Sequence, residues 1–181
     1  MSKALRIAWL SPFVIAFIGT LAGCGTTTMT ANPNTFAVRG TTQTLRAPQT
    51  ITLKNGYSSE TKMIMRSVGG MIWDADMRQL TDVAIEMMSR HLAKNGINVG
   101  SGEKTVTVSV RDVRADIIPI PFATRYQTVL GLEARLGDGT VSTIPAQNSS
   151  PGGPDRSIDG ALLFAVTGLL NDAGFVGYVN R

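Results

Sequence analysis

Residues 76–100 read DMRQLTDVAIEMMSRHLAKNGINVG, and the spacing of their apolar side chains decides the fold. Leu80, Val83, Ala84, Met87, Met88, His91 and Leu92 follow the three-and-four step of an α-helix, so a single apolar stripe runs along one side. Asp76, with Gln79 three residues on, reads as a capping box at the start, and Asn95-Gly96 reads as the stop. A helix with one apolar stripe needs another layer to cover it. The flanking segments must supply that layer.

Downstream, Val106, Val108 and Val110 alternate as a strand, and past Arg111 the apolar positions shift to Val113, Ala115 and Ile117, as a bulge produces. Tyr126, Thr128, Leu130, Leu132, Ala134 and Leu136 share one face of a second strand. The GDGT of residues 137–140 turns it, and Val141 to Ile144 returns as a hairpin partner. NSSPGGPD, residues 148–155, is a loop ending in a helix start. Ile158, Leu162, Ala165, Val166, Leu169, Leu170 and Ala173 then draw a second helical stripe. Upstream, TITLKNGY at 50–57 alternates as a strand and breaks at Asn55-Gly56. MIMRSVGGMIWDAD, at 63–76, reads as a buried stretch or as a short strand pair around Gly69-Gly70. The expected fold class is α+β, a two-layer sandwich in the order β-α-β-β-β-α, with a mainly antiparallel sheet covered by two amphipathic helices.

The opening stretch, followed by TVTVSVRDVRAD (105–116), RYQTVLGLEARLGDGT (125–140) and an amphipathic C-terminal helix, resembles the YajG-type family of small envelope lipoproteins. In element order it is more distantly similar to other βαββα envelope lipoproteins, including auxiliary lipoproteins of lipid-transport systems. The likeness spans roughly residues 50–175. It implies an envelope address and a non-enzymatic role, and it carries no catalytic residues. IIPIPFAT, residues 117–124, departs from it, being apolar and proline-bearing where a more polar loop is expected.

The N-terminal segment supplies the address. Lys3 and Arg6 precede a run without charge from Ile7 to Gly23, a basic region followed by an apolar one, as in an export signal. The run ends in Leu21-Ala22-Gly23-Cys24, which resembles the lipobox of bacterial lipoproteins and contains the only cysteine of the chain. The resemblance implies a diacylglycerol on Cys24 Sγ, cleavage after Gly23 and acylation of the freed amino group. In the enterobacterial sorting rule, Gly25, being other than Asp, implies delivery to the outer membrane. A retained signal anchor fits less well, because the run falls short of a span of about 20 residues and Pro12 interrupts it. A buried structural cysteine also fits less well, because Gly25, Thr26, Thr27 and Thr28 offer it no core. The expected organisation is a signal peptide at 1–23, a lipidated flexible tether at 24–48 and a single α+β domain at 49–181. Residues 25–48 are poor in large apolar side chains and cannot offset their ordering entropy; Phe36 and Val38 are exceptions through which the arm can dock.

Charge narrows the function. The formal net charge is +4, from 17 basic and 13 acidic residues, but loss of Lys3 and Arg6 with the signal halves it. No basic stripe remains for nucleic acid. With Cys24 lipidated no thiol is left for a disulfide, so packing alone holds the domain.

Candidate catalytic groups all have plainer explanations. His91, the only histidine, lies on the helical stripe and reads as a partnered structural side chain, since a metal centre needs several ligands converging. Asp74 and Asp76 lie two apart on one side of an extended segment, yet capping accounts for Asp76 and solvation for Asp74. Gly137, Asp138 and Gly139 resemble half a phosphate loop but stand between two strands, as a hairpin turn does. No catalytic residue, metal site or cofactor is expected.

One stretch reads as a contact. In IIPIPF, Ile117, Ile118, Ile120 and Phe122 stand between Asp116 and Arg125, and the two prolines are expected to forbid regular ladder pairing. Exposed, this loop is a partner or lipid contact, with Arg111, Arg114 and Arg125 beside it for acidic head groups. Folded back, it closes one end of the sandwich.

The expected function is a lipid-anchored, periplasm-facing envelope lipoprotein of the outer membrane, acting as a non-catalytic binding or assembly module. The alternative is a lipid-handling auxiliary subunit of an envelope transport system, with a lipid ligand between helices and sheet. The expected partners are the membrane, through acyl chains on Cys24, and an envelope protein, with no nucleic acid.

Overall fold

The helix capped by Asp76 forms as its spacing requires. In the computed structural model, which describes residues 25–38, 40, 45–46, 49–68 and 71–181, α1 spans Met77–Lys94. Asp76 Oδ1 accepts from Arg78 N, and Gly96 closes the helix at a φ of +77°. Leu80, Ala84, Met88 and Leu92 are fully buried, and the leucines and Met88 each contribute about 1.5–3 kcal/mol of apolar burial. The proposed signal peptide and Cys24 lie outside the described residues.

The strands are β1 (Thr26–Met29), β2 (Gln49–Asn55), β3 (Lys62–Val68), β4 (Met71–Asp76), β5 (Ile97–Val99), β6 (Lys104–Ile120), β7 (Ala123–Leu136) and β8 (Val141–Ser150). The remaining helices are α2 (Pro154–Leu170) and α3 (Ala173–Asn180). A five-stranded sheet runs β5-β2-β6-β7-β8, and a three-stranded one runs β1-β4-β3. This is the expected α+β class, with helices against sheet. α1 and α2 cover the five-stranded sheet, where Val106, Val108, Val110, Leu130 and Leu132 meet Ile158, Leu162 and Val166 in one core.

The bulge expected after Arg111 is present. The β6–β7 register shifts between Arg111 and Arg114, and Asp112 takes the turn at a φ of +51°. The strand pair around Gly69-Gly70 is present too, as the antiparallel β3–β4 ladder.

Four features depart from the sequence reading. First, β2 pairs in parallel with both β5 and β6, so the sheet is mixed on that side; the intervening α1 carries the chain back in the same direction. β5, a three-residue strand after Gly96, was absent from the expected order. Second, the C-terminal stripe is two helices. Asn171 closes α2, Asp172 Oδ1 caps α3 through Phe175 N at 2.8 Å, and the axes bend by 56°.

Third, the residues read as a tether are partly built into the body. β1 pairs in parallel with β4 from Thr26↔Ile72 to Met29↔Ala75, and Met29 is buried. Beyond it, Asn32 N donates to Asp159 Oδ1 at 2.7 Å, and Arg90 Nη1 donates to Pro33 O at 3.1 Å. Val38 and Leu45 pack on the core. Sheet pairing satisfies the backbone of a threonine run that has no apolar surface of its own to bury.

Fourth, IIPIPF is no irregular loop. The β6–β7 ladder continues through Ile117↔Tyr126, Ile118↔Arg125 and Pro119↔Thr124 to Ile120↔Ala123. Past Val108, β6 is paired only with β7 within its sheet, so Pro119 is an edge residue, where a missing N–H is tolerated.

Candidate functional site

The β6–β7 hairpin closes on Pro121 and Phe122. Proline presets φ at the first corner, and Phe122 takes the second at a φ of +64°, the pattern of a type II turn. Glycine or asparagine usually occupies that corner, and a bulky L-residue there costs about 1–2 kcal/mol of strain. Phe122 is 108% exposed, so no contact within the described residues offsets that strain. The tip does not fold back over the sandwich. Ile117 is also exposed, whereas Ile118 and Ile120 are half-buried. Of the four residues proposed as a contact, Phe122 and Ile117 thus present the most apolar surface.

The tip stands beside the three-stranded sheet. Arg66 of β3 donates through Nη1 to Asp116 Oδ1 at 2.6 Å and to Ala115 O at 3.5 Å. Trp73 of β4 lies 6.0 Å from Tyr126 of β7, centroid to centroid. Arg66, Met71, Trp73 and Ile117 line a small, open, largely apolar pocket of about 140 Å³. Farther down, Gly56 N donates to Val108 O, while beyond it Arg66 reaches Asp116, so the chain from Gly56 through β3 advances in the same direction as β6. β3 therefore climbs alongside β6, and β4 begins at the tip end. Met71, the first residue of β4, is 55% exposed there. Ile72 N, next to it, donates to Gly25 O at 3.2 Å, which brings the first described residue to the same end.

The three arginines expected around the tip are not brought together. Arg111 stacks 5.5 Å from the Tyr57 ring and pairs with Glu133 at 3.4 Å, away from the tip. Arg114 sits opposite Val129 just after the bulge, and only Arg125, across from Ile118, belongs to the tip.

The other candidates have local tasks. His91 Nε2 lies 3.1 Å from Asn95 Nδ2. Burial, and then the Lys94 ammonium, hold the imidazole pKa below its ordinary 6.5. His91 also borders a groove of about 150 Å³ between α1 and the arm, with Phe36, Val38, Met87, Arg90 and Lys94. Asp76 is spent on the helix start and on Thr61 N. Asp74 is buried, with Oδ1 unpartnered among the described residues. Asp138 Oδ1 accepts from Thr140 N at 3.0 Å, and that bond, with Arg181 nearby, lowers its pKa as a turn carboxylate. Among the described residues no group of three His, Cys, Asp or Glu converges as a metal site would require.

Sequence reasoning missed Met71 and the docking of β1. The β-branched run Thr26-Thr27-Thr28 was the available signal, since such residues favour strands whatever their polarity.

No family model and no curated protein matches this sequence. Among solved structures, a Xanthomonas campestris protein of family DUF330 is similar in outline. Its identity is 13%, over 86% of this chain and 96% of that one, with a TM-score of 0.44. A minor lipoprotein from Acinetobacter baumannii is similar at 11% identity, over 67% of this chain and 90% of that one, with a TM-score of 0.39. Neither likeness transfers a residue role to this chain.

Proposed function

We propose that this protein is a lipid-anchored envelope lipoprotein of the YajG type, periplasm-facing at the outer membrane, working as a non-catalytic binding or assembly module. The observation that carries the reading is Leu21-Ala22-Gly23-Cys24 at the end of an uncharged run, joined through Gly25 alone to a strand of the folded body. Two or three acyl chains hold a protein on a bilayer far more firmly than a single one. The groups chemically able to carry turnover support the non-catalytic part by where they go: Asp76 to a cap, Asp138 to a turn, His91 to Asn95. The lipid-handling alternative has no comparable support. The space it requires, between α1, α2 and the sheet, is filled by buried Leu80, Met88, Leu130, Leu132, Ile158 and Leu162.

Intact-mass analysis of protein extracted from its own membranes tests the reading. The expected product starts at Cys24 and carries acyl chains, and Cys24→Ala leaves the membrane fraction or keeps its leader. An unmodified sulfur in the wild type removes the proposal. Proximity labelling from the anchored protein then identifies what it binds.

A further inference from the structure

Cys24 lies one peptide unit, about 3.8 Å between Cα atoms, before Gly25. Gly25 is bonded to Ile72, and Thr26 is already paired in the sheet. On the reading above, which this inference rests on, no slack separates the acyl chains from the folded body. They emerge at the end of the molecule that carries Met71 and the β6–β7 tip. We infer that this end is seated on the bilayer, with Phe122 and Ile117 immersed among the lipids, so that the occupant of the apolar tip is lipid.

Three observations converge on it. Phe122, Met71 and Ile117, at 108%, 55% and 38% exposure, are large apolar residues gathered at the end where the anchor is attached. From Ile117 to Tyr126 the one charged residue is Arg125, a cation suited to phosphate head groups. The nearest preceding carboxylate, Asp116, is held by Arg66. Immersion also gives Phe122 an apolar surrounding that its strained, solvated corner lacks. The opposite end, where Asp138 and Arg181 pair at the β7–β8 turn, lies about 40 Å away along β7 and faces water.

The test uses the full chain, processed in a Gram-negative host and reconstituted into vesicles of phosphatidylethanolamine and phosphatidylglycerol. Acylation blocks Cys24, so Phe122→Cys, Thr124→Cys and Val141→Cys each present one free thiol for an environment-sensitive fluorophore. Mass analysis of each sample first establishes the acyl chains. The expected result is blue-shifted emission, quenched by doxyl-labelled lipid, at 122 and 124, with a water-like, unquenched signal at 141. Acylated protein with water-like emission at all three positions overturns the inference and leaves the anchor standing. A label at 122 shielded in native envelopes but not in pure vesicles also overturns it, because the occupant is then a protein. A free Cys24 thiol removes the anchor and the inference together.

Discussion

Phe122 combines two costs at one residue, a left-handed backbone and a fully solvated aromatic ring. Phe122→Gly relieves the strain of about 1–2 kcal/mol, partly offset by the greater freedom of glycine in the unfolded chain. The expected net effect is a gain of up to about 1 kcal/mol, read as a higher Tm, with membrane seating weakened. A lower Tm would show that the ring makes contacts that hold the fold.

His91 gives a prediction with a definite sign. Its folded pKa is depressed, so as pH falls below 6.5 the unfolded chain takes up the proton first. Stability is therefore full above 6.5 and is lost as pH drops through the lower folded value. Thermal melts between pH 7.5 and 5 should show the wild type losing more than His91→Gln. Parallel curves would show that the imidazole is solvated alike in both states.

At the scale of elements, a buried hydroxyl joins α1 to the middle of β6, beside the bonds from Asn55 of β2 to Arg78 O and Asp82. Thr81 Oγ1 donates to Met77 O at 2.7 Å and accepts from Val110 N at 3.0 Å, with Thr81 and Val110 both buried. It supplies the acceptor Val110 needs beside the bulge, where the ladder slips. Thr81→Val preserves the shape and strands that amide, so a loss of about 1–3 kcal/mol is expected from chemical denaturation. A change below about 0.5 kcal/mol would mean that water or a shifted strand satisfies it. The caps and apolar stripe of α1, the bulge and the β7–β8 turn were legible in sequence because each depends on residues within a few positions of one another, whereas the β6–β7 turn and the break between α2 and α3 were not. The prolines misled for a related reason. Their effect on a ladder depends on whether the outer edge of β6 is covered, a fact set by β2 ending at Asn55, far away in sequence.

At the scale of the molecule, the arm ties the layers together. It runs from β1 across α1 and α2, through Asn32 to Asp159 and Arg90 to Pro33, and Arg46 N donates to Asn180 Oδ1 at 2.8 Å. Asp159→Ala leaves Asn32 N unpaired. The expected outcome is faster proteolytic cutting between residues 30 and 46, with most of the global stability kept, because the helix–sheet core does not depend on that bond. Equal cutting rates in mutant and wild type would show that the arm is held by its apolar contacts instead.

The sequence by itself determined the α+β class and the order of its main elements, and it holds the Leu21-Ala22-Gly23-Cys24 pattern on which the proposed export and lipidation rest. Apolar periodicity and short motifs act over a few residues and need no partner to be read. Only the tertiary structure decided that a polar threonine run is a strand, that a second sheet stands beside the first, and that Gly25, Met71 and Phe122 share one end. Those outcomes depend on backbone hydrogen bonds and side-chain packing between segments far apart in the chain, where local patterning carries no information.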